Sequence, residues 1–194
     1  MIDLKKVFIA TSNKGKIKEF NVLFNLLGVE VIPATDFAIT PPEETGATFL
    51  ENAILKAKYY SQFVSYPCFA DDSGLCIESL DNQPGIHSAR WSKNGDFIPA
   101  INQIKTMLSE KNLTSSNAKY VCSLALYNEG KLFTAEGFLS GKVKFPSSGT
   151  NGFGYDPIFI PNGYDQTLAD LSITIKNQIS HRVKAFNNLF NQGL

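Results

Sequence analysis

Two periods of apolar residues, one of 2 and one of 3.6, alternate along the chain, and the switches between them predict an α/β protein. Lys5 to Ala10 is a short apolar run that reads as a buried strand, and the polar turn Thr11-Ser12-Asn13-Lys14-Gly15-Lys16 follows it. A helix starts near Gly15, because Ile17, Phe20, Leu23, Phe24 and Leu27 keep helical spacing, and Gly28 ends it as a cap. Val29 to Pro33 supplies a second strand. Thr48-Phe49-Leu50-Glu51 matches a capping box and opens a helix with Leu50, Ile54, Ala57 and Val64 turned to the core. Thr48, Asn52 and Lys56 recur every fourth residue and share another face, one that could look toward the Glu43-Glu44 loop or simply into solvent. Two strands, about 67 to 70 and 75 to 79, are expected on either side of an Asp71-Asp72-Ser73-Gly74 turn. A helix over 97 to 110 carries Ile98, Ile101, Ile104 and Leu108. Lys119 to Tyr127 and Leu132 to Leu139 surround Asn128-Glu129-Gly130, a hairpin signal that makes the sheet mixed. The Gly-rich segment Gly149 to Pro157 leads into a strand at Ile158 to Ile160, and a helix opened by Ser180, with Val183, Phe186, Leu189 and Phe190, closes the chain.

Size and charge narrow the function. A chain of 194 residues can bury roughly 70% of its unfolded surface, enough for one domain or two lobes sharing a sheet. Eighteen basic and 18 acidic residues cancel, so no electrostatic footprint for duplex nucleic acid exists and an anionic ligand must meet a local basic cluster. No apolar run is long enough to span a membrane, and Met1-Ile2-Asp3-Leu4-Lys5-Lys6 lacks the order of a signal peptide, so a cytoplasmic location is expected. Cys68, Cys76 and Cys122 are an odd number without CxxC spacing, each inside an apolar run, and read as core residues.

Candidate chemistry gathers at a few turns. Side chains alternate along an extended backbone, so at most one of Asp71 and Asp72 can face a given cleft, and the other is expected to hold the turn. Glu43-Glu44 lies in a Pro-rich loop, and carboxylates from separate loops suit a hard cation that keeps waters and substrate phosphates in its shell. Thr11 to Lys16 fails the Walker A pattern, since Ala10 stands at the first Gly position and Ile17 at the Ser/Thr position. A strand, a polar turn and a helix start would still present N–H groups to an anion, with Lys14 and Lys16 adding charge; a plain helix start with surface lysines is the alternative. Gly149 to Asp156 has GxxGxG spacing and is no dinucleotide fingerprint, but its glycines let the backbone approach a flat group, with Phe153 and Tyr155 as stacking faces, or else form a tight loop around a core Phe. His181 and Arg182 place potential cations in the first turn of a helix, where they oppose its dipole unless compensated; a ligand rich in acceptor atoms would do so.

Taken in order, these segments resemble the noncanonical purine nucleoside triphosphate pyrophosphatases, the inosine triphosphate pyrophosphatase family. The resemblance is carried by Thr11 to Lys16, Glu43 to Ala57, Ala70-Asp71-Asp72-Ser73-Gly74-Leu75, Pro84 to Arg90, Gly152-Phe153-Gly154-Tyr155-Asp156-Pro157 and Ser180-His181-Arg182. It implies an elongated mixed β-sheet with flanking helices, in two lobes around a cleft, acting as one nucleotide pyrophosphatase domain over residues 1–194 and usually a homodimer. The implied reaction is Mg²⁺-dependent hydrolysis of ITP, dITP and XTP to the monophosphate and pyrophosphate, with neither nucleic acid nor membrane as partner. Asp72 resembles the general base and a metal ligand, and Glu44 its partner at the metal. Thr11, Ser12, Asn13, Lys14, Gly15, Lys16, Lys56 and Ser73 match the triphosphate cradle, and Phe153, Gly154, Tyr155, Asp156, Lys176, His181 and Arg182 the positions that hold the base. Ser12 stands where the family often has Gly, and Trp91 where it more often has Tyr. Related pyrophosphatases of the Maf type, a nucleotide-sensing module and an RNA-binding module are the competing readings.

Overall fold

The computed structural model describes residues 4–193; Leu194 and the Met1-Ile2-Asp3 part of the amino-terminal reading lie outside the described residues. The order is β1 (Lys6–Ile9), α1 (Lys14–Leu26), β2 (Glu30–Pro33), α2 (Phe49–Tyr60), β3 (Cys68–Ile77), α3 (Ile98–Glu110), β4 (Ser115–Asn128), β5 (Lys131–Lys144), β6 (Phe159–Pro161), α4 (Ile173–Ile179) and α5 (His181–Phe190). Six strands form one sheet in the order β2-β1-β3-β4-β5-β6. β1 pairs parallel with β2 and β3, while β6 pairs antiparallel with β5, so the sheet is mixed as the hairpin signal requires. Glu129 and Gly130 both take positive φ between β4 and β5, the geometry of a two-residue hairpin turn.

The chain divides into two compact units, one comprising residues up to Asp72, Cys122–Gly137 and residues from Arg182 onward, the other Ser73–Val121 and Phe138–His181. The first unit has a core on each face of its strands. Val7, Ile9, Phe69, Cys122, Leu124 and Leu126 pack with Phe20 and Phe24 of α1 and Ala185, Phe186 and Leu189 of α5. Phe8, Ala10, Cys68, Ala70 and Ala125 pack with Ala53, Ala57 and Tyr60 of α2. The parity is that of a strand whose neighbouring residues point to opposite faces, both covered, as parallel strands demand. In the second unit, Leu75, Ile77, Leu80, Tyr120, Leu139, Val143, Tyr155 and Phe159 close around Ile104 and Leu108 of α3.

Local signals set the helix starts. Asn13 caps α1 by accepting from the N–H groups of Gly15 and Lys16, and Gly28, just past the helix end, takes φ +71°. Thr48 caps α2 by accepting from Glu51 N–H, while Glu51 accepts from Ala47 N–H, one residue before the usual capping-box partner. All three cysteines are free and buried, as their apolar settings imply, and burial pushes the Cys68 thiol up to about 12.

Two sequence expectations are corrected, and one helix lies where the sequence predicts none. Residues 67 to 79 do not form two strands around a turn: β3 runs unbroken through Asp71, Asp72, Ser73 and Gly74, because Asp71 finds Lys16 on one face and Asp72 finds Asn52 and Lys56 on the other, so neither needs an exposed turn. Of the expected core face of α2, Ala57 is buried and Ile54 and Val64 pack against the core, but the buried positions also include Phe49, Asn52, Ala53 and Tyr60, with Leu50 only half-buried. Helix α4, capped by Ser172, lies in a segment whose seven residues are too short to show a helical period.

Phe24 is fully buried and meets Phe69, Phe186 and Phe190 edge-on, with centroids 5.0, 5.0 and 5.8 Å away. Phe24→Ala should therefore lower the unfolding free energy by about 3–5 kcal/mol in urea titrations. Val22→Ala, on the exposed side of the same helix, should shift it by less than about 0.5 kcal/mol.

Candidate active site

In the first unit, β3 delivers two adjacent carboxylates to opposite faces. Asp71 is 1% exposed and its Oδ2 lies 2.8 Å from Lys16 Nζ, two residues into α1. Asp71 thus anchors a lysine rather than holding a turn. Burial alone would raise its pKa, but Lys16, Lys56 and Arg182 outweigh burial and hold the carboxyl below the usual range.

Asp72 turns to α2. Its Oδ2 accepts from Asn52 Nδ2 at 3.1 Å, and its Oδ1 lies 3.7 Å from Lys56 Nζ. The same ammonium donates to Glu44 Oε1 at 2.6 Å. Asn52 and Lys56 therefore do face the Glu43-Glu44 loop, while Thr48 at the head of the same stripe is exposed. Burial pushes Asp72 above the ordinary carboxylate range, with Glu44 and Asp71 adding to the rise against the pull of Lys56 and Lys16. Burial works against the charge on Lys56 too, yet Asp72, Asp71 and Glu44 leave its pKa raised.

The helix-start reading of Thr11 to Lys16 changes in one respect. Two N–H groups that would have met an anion, those of Gly15 and Lys16, already bond Asn13 Oδ1. Thr11 Oγ1 accepts from Asn13 N–H, and Ser12 and Lys14 are exposed. Arg182, at the start of α5, is buried and ion-paired with Glu19 of α1. Its compensation against the helix dipole is this carboxylate, supplied within the fold.

The second unit gathers a different group. Asp156 accepts from Tyr120 OH at 3.2 Å, Phe153 N–H at 3.0 Å and Lys176 Nζ at 2.6 Å. The Lys176 ammonium also stands 5.0 Å from the centroid of the Phe153 ring, within cation–π range. Tyr120 stacks on His181 with centroids 4.7 Å apart and planes 7° from parallel. At Gly152, φ is +81° and an added Cβ would collide with Asp156 Oδ2, so the loop can close over this carboxylate only with glycine. Phe153 remains partly exposed. Tyr155 does not serve as a stacking face for a ligand: it is buried, edge-on to Phe97, and its hydroxyl donates to Ser88 O at 2.8 Å.

The expected residues thus fall into two groups: Lys16, Glu44, Lys56, Asp72 and Arg182 in the first unit, and Phe153, Asp156, Lys176 and His181 in the second. Ser73 follows Asp72 along β3. His181 and Arg182, neighbours in sequence, have different partners. Sequence reading missed Glu19 and Tyr120 as members of these networks, and placed Asn52 on the face that could look toward the Glu43-Glu44 loop without giving it a role. For Asn52 a signal existed, since it sits on the four-residue stripe with Lys56; Tyr120 lay in an apolar strand with nothing to distinguish its hydroxyl.

Among the described residues there is no cluster of three or more His, Cys, Asp or Glu side chains arranged to hold a metal ion. Two carboxylates drawn to one ammonium nevertheless form a hard-oxygen donor pair, and three cations, Lys16, Lys56 and Arg182, face four carboxylates, Glu19, Glu44, Asp71 and Asp72. The Glu44–Asp72 oxygen pair fits a small divalent cation that keeps most of its own waters.

Residues 7–192 match the model of the Ham1 family, and the chain belongs to that family. It is 43% identical over 190 residues to a dITP/XTP pyrophosphatase of Legionella pneumophila (strain Paris), covering 96% of this chain and 97% of the other. A dITP/XTP pyrophosphatase of Oceanobacillus iheyensis is 42% identical over 192 residues, with 96% of each chain covered. Among solved structures, a Ham1 protein of Coxiella burnetii superposes with TM-score 0.87 at 34% identity, over 96% of this chain and 97% of that one. The Staphylococcus aureus Ham1 protein gives 0.84 at 36% identity, over 97% and 99%.

Because the folded state holds the Asp71 proton less tightly than the unfolded chain, its stabilisation is complete above the usual value of 3.8 and is lost as pH falls through the depressed folded value. Thermal melts between about pH 5 and 2 should therefore fall less steeply for Asp71→Asn than for the unaltered protein. At neutral pH the same substitution, which strands Lys16, should cost about 3 kcal/mol.

Proposed function

We propose that this protein hydrolyses ITP, dITP and XTP to the nucleoside monophosphate and pyrophosphate, clearing them from the nucleotide pool, with Mg²⁺ as its metal. The observation that carries the reading is the convergence of Glu44 and Asp72 on Lys56, in a Ham1-family chain similar to dITP/XTP pyrophosphatases. Glu44 and Asp72 would hold the ion. When bound, Mg²⁺ supplies charge neutralisation on the phosphate oxygens.

The chain's own groups divide the remaining work. Asp72, kept above the usual carboxylate range chiefly by burial, is suited to accept a proton from the attacking water. Asp71 stays ionised and holds Lys16. Lys14, Lys16 and Lys56, with Thr11, Ser12, Asn13, Gly15 and Ser73, offer charge and hydrogen bonds to the triphosphate. Phe153 offers a partly exposed ring to a purine, Gly154 and Tyr155 shape the loop that carries it, and Asp156 holds Lys176. Donors from Lys176, His181 and Arg182 would satisfy the 6-carbonyl of hypoxanthine or xanthine, whereas the amino group of adenine would face other donors, a mismatch worth roughly 10⁴ in discrimination. Action as one domain over residues 1–194, a homodimeric assembly and a cytoplasmic location complete the proposal, supported by the family resemblance. No helix among the described residues is long and apolar enough to cross a membrane.

A panel of nucleoside triphosphates with Mg²⁺, assayed for orthophosphate with and without added inorganic pyrophosphatase, tests the reaction. Phosphate from ITP and XTP should appear only with the helper enzyme; phosphate released without it would mean cleavage elsewhere in the triphosphate. Asp72→Asn should lower kcat by about 10²–10⁴-fold while nucleotide binding by calorimetry changes little. Near-normal turnover would remove Asp72 from the chemistry. Arg182→Ala should reduce the kcat/KM preference for ITP over ATP by at least about tenfold, and full retention of that preference would exclude Arg182 from base selection.

A further inference from the structure

We propose that Asn52 is the positioning residue of this site: its side-chain amide fixes the orientation of the Asp72 carboxylate and ties it to the loop that carries Glu44. The inference rests on the reading that Asp72 and Glu44 act together. Asn52 is fully buried on α2, an unusual place for an amide unless both its ends are bonded. Its Oδ1 accepts from Gly46 N–H at 2.8 Å and its Nδ2 donates to Asp72 Oδ2 at 3.1 Å. A backbone N–H can only donate, so the amide oxygen must face Gly46 and the NH₂ group must face Asp72. Reversing the amide would set donor against donor and acceptor against acceptor, so the two bonds hold each other in place.

Gly46 is shaped to this contact. A Cβ there would lie 2.6 Å from Asn52 Oδ1 and 2.8 Å from Glu51 Cβ, too close for any side chain. The next residue is held as well, Ala47 N–H donating to Glu51 Oε2 at 2.7 Å. Glu44 lies two residues before Gly46, and one helical turn beyond Asn52 the Lys56 ammonium holds Glu44 directly. The two tethers differ in kind. An ammonium repels an incoming divalent cation and competes with it for both carboxylates, whereas a neutral amide carries no charge to repel it, engages only Oδ2 of Asp72, and can keep Asp72 and the loop in register as the cation enters.

Three variants test this by two kinds of readout: amide hydrogen exchange at Gly46 in metal-free protein, and kcat, KM and the Mg²⁺ concentration for half-maximal activity. Asn52→Leu removes both bonds with little change of volume; Gly46 exchange should quicken by about tenfold, the equivalent of one net hydrogen bond. Its kcat should fall by about 100-fold, with KM for ITP within about threefold and a higher Mg²⁺ requirement. Asn52→Asp keeps an acceptor for Gly46 and loses the donor to Asp72, so exchange should stay slow while kcat still falls. Gly46→Ala should reproduce the Asn52→Leu losses from the loop side. Should Asn52→Leu fail to fold, Asn52→Asp and Gly46→Ala decide. Turnover within about twofold of normal in Asn52→Asp, or Gly46 exchange equally fast with and without the amide, would overturn the proposal. If the unaltered protein fails to cleave ITP, the functional reading falls, while Gly46 exchange and Mg²⁺ calorimetry still report whether Asn52 orders the loop.

Discussion

The alternation of side chains along β3 is the constraint on which the first unit depends. Asp71 and Asp72 are consecutive in an unbroken strand, so one must point to the face covered by α1 and α5 and the other to the face covered by α2. Each face then supplies its own partners, Lys16 on one side, Asn52 and Lys56 on the other. The separation lets two adjacent carboxylates carry opposite properties. Asp71 lies below the ordinary range and Asp72 above it, a pairing of environments that elsewhere separates a structural carboxylate from a reactive one.

Such an arrangement is expensive in stability. Moving a carboxylate and an ammonium out of water costs several kcal/mol per ion, and pairing them in the interior commonly does no more than offset that cost. The burial of Lys16 against Asp71, of Arg182 against Glu19, and of Lys176 against Asp156 is therefore poorly explained as reinforcement of the fold. Apolar cores on both faces of the strands and around α3 already supply the driving force for folding. What the ion pairs add is fixed direction: each charged side chain is held in one orientation by its partner.

The second unit repeats the logic with Asp156 in place of Asp72. One buried carboxylate accepts from a tyrosine hydroxyl, a backbone N–H and a lysine, and through them sets the Gly152–Asp156 loop, the Phe153 ring and α4 relative to one another. Gly152 is the point at which chain flexibility becomes a requirement, since any side chain there would displace the carboxylate.

Most of the framework was legible in order along the chain. The cap at Thr48, the Gly28 stop, the hairpin at Glu129-Gly130 and the mixed sheet depend on interactions a few residues apart, which sequence spacing records directly. The types of residue available for chemistry, including the clustered carboxylates and the lysines after β1, were equally plain. Sequence by itself could not decide partnership. Whether Asp71-Asp72 ended a strand or continued it turned on Lys16, 55 residues away, and on Asn52, 20 residues away. Tyr155 went to the core and Phe153 to the surface, and His181 and Arg182, adjacent in sequence, took Tyr120 and Glu19 as separate partners. Tertiary structure decides these matters because a buried charge or amide is tolerated only where a complementary group arrives from elsewhere in the fold, and periodicity along one segment carries no information about that arrival.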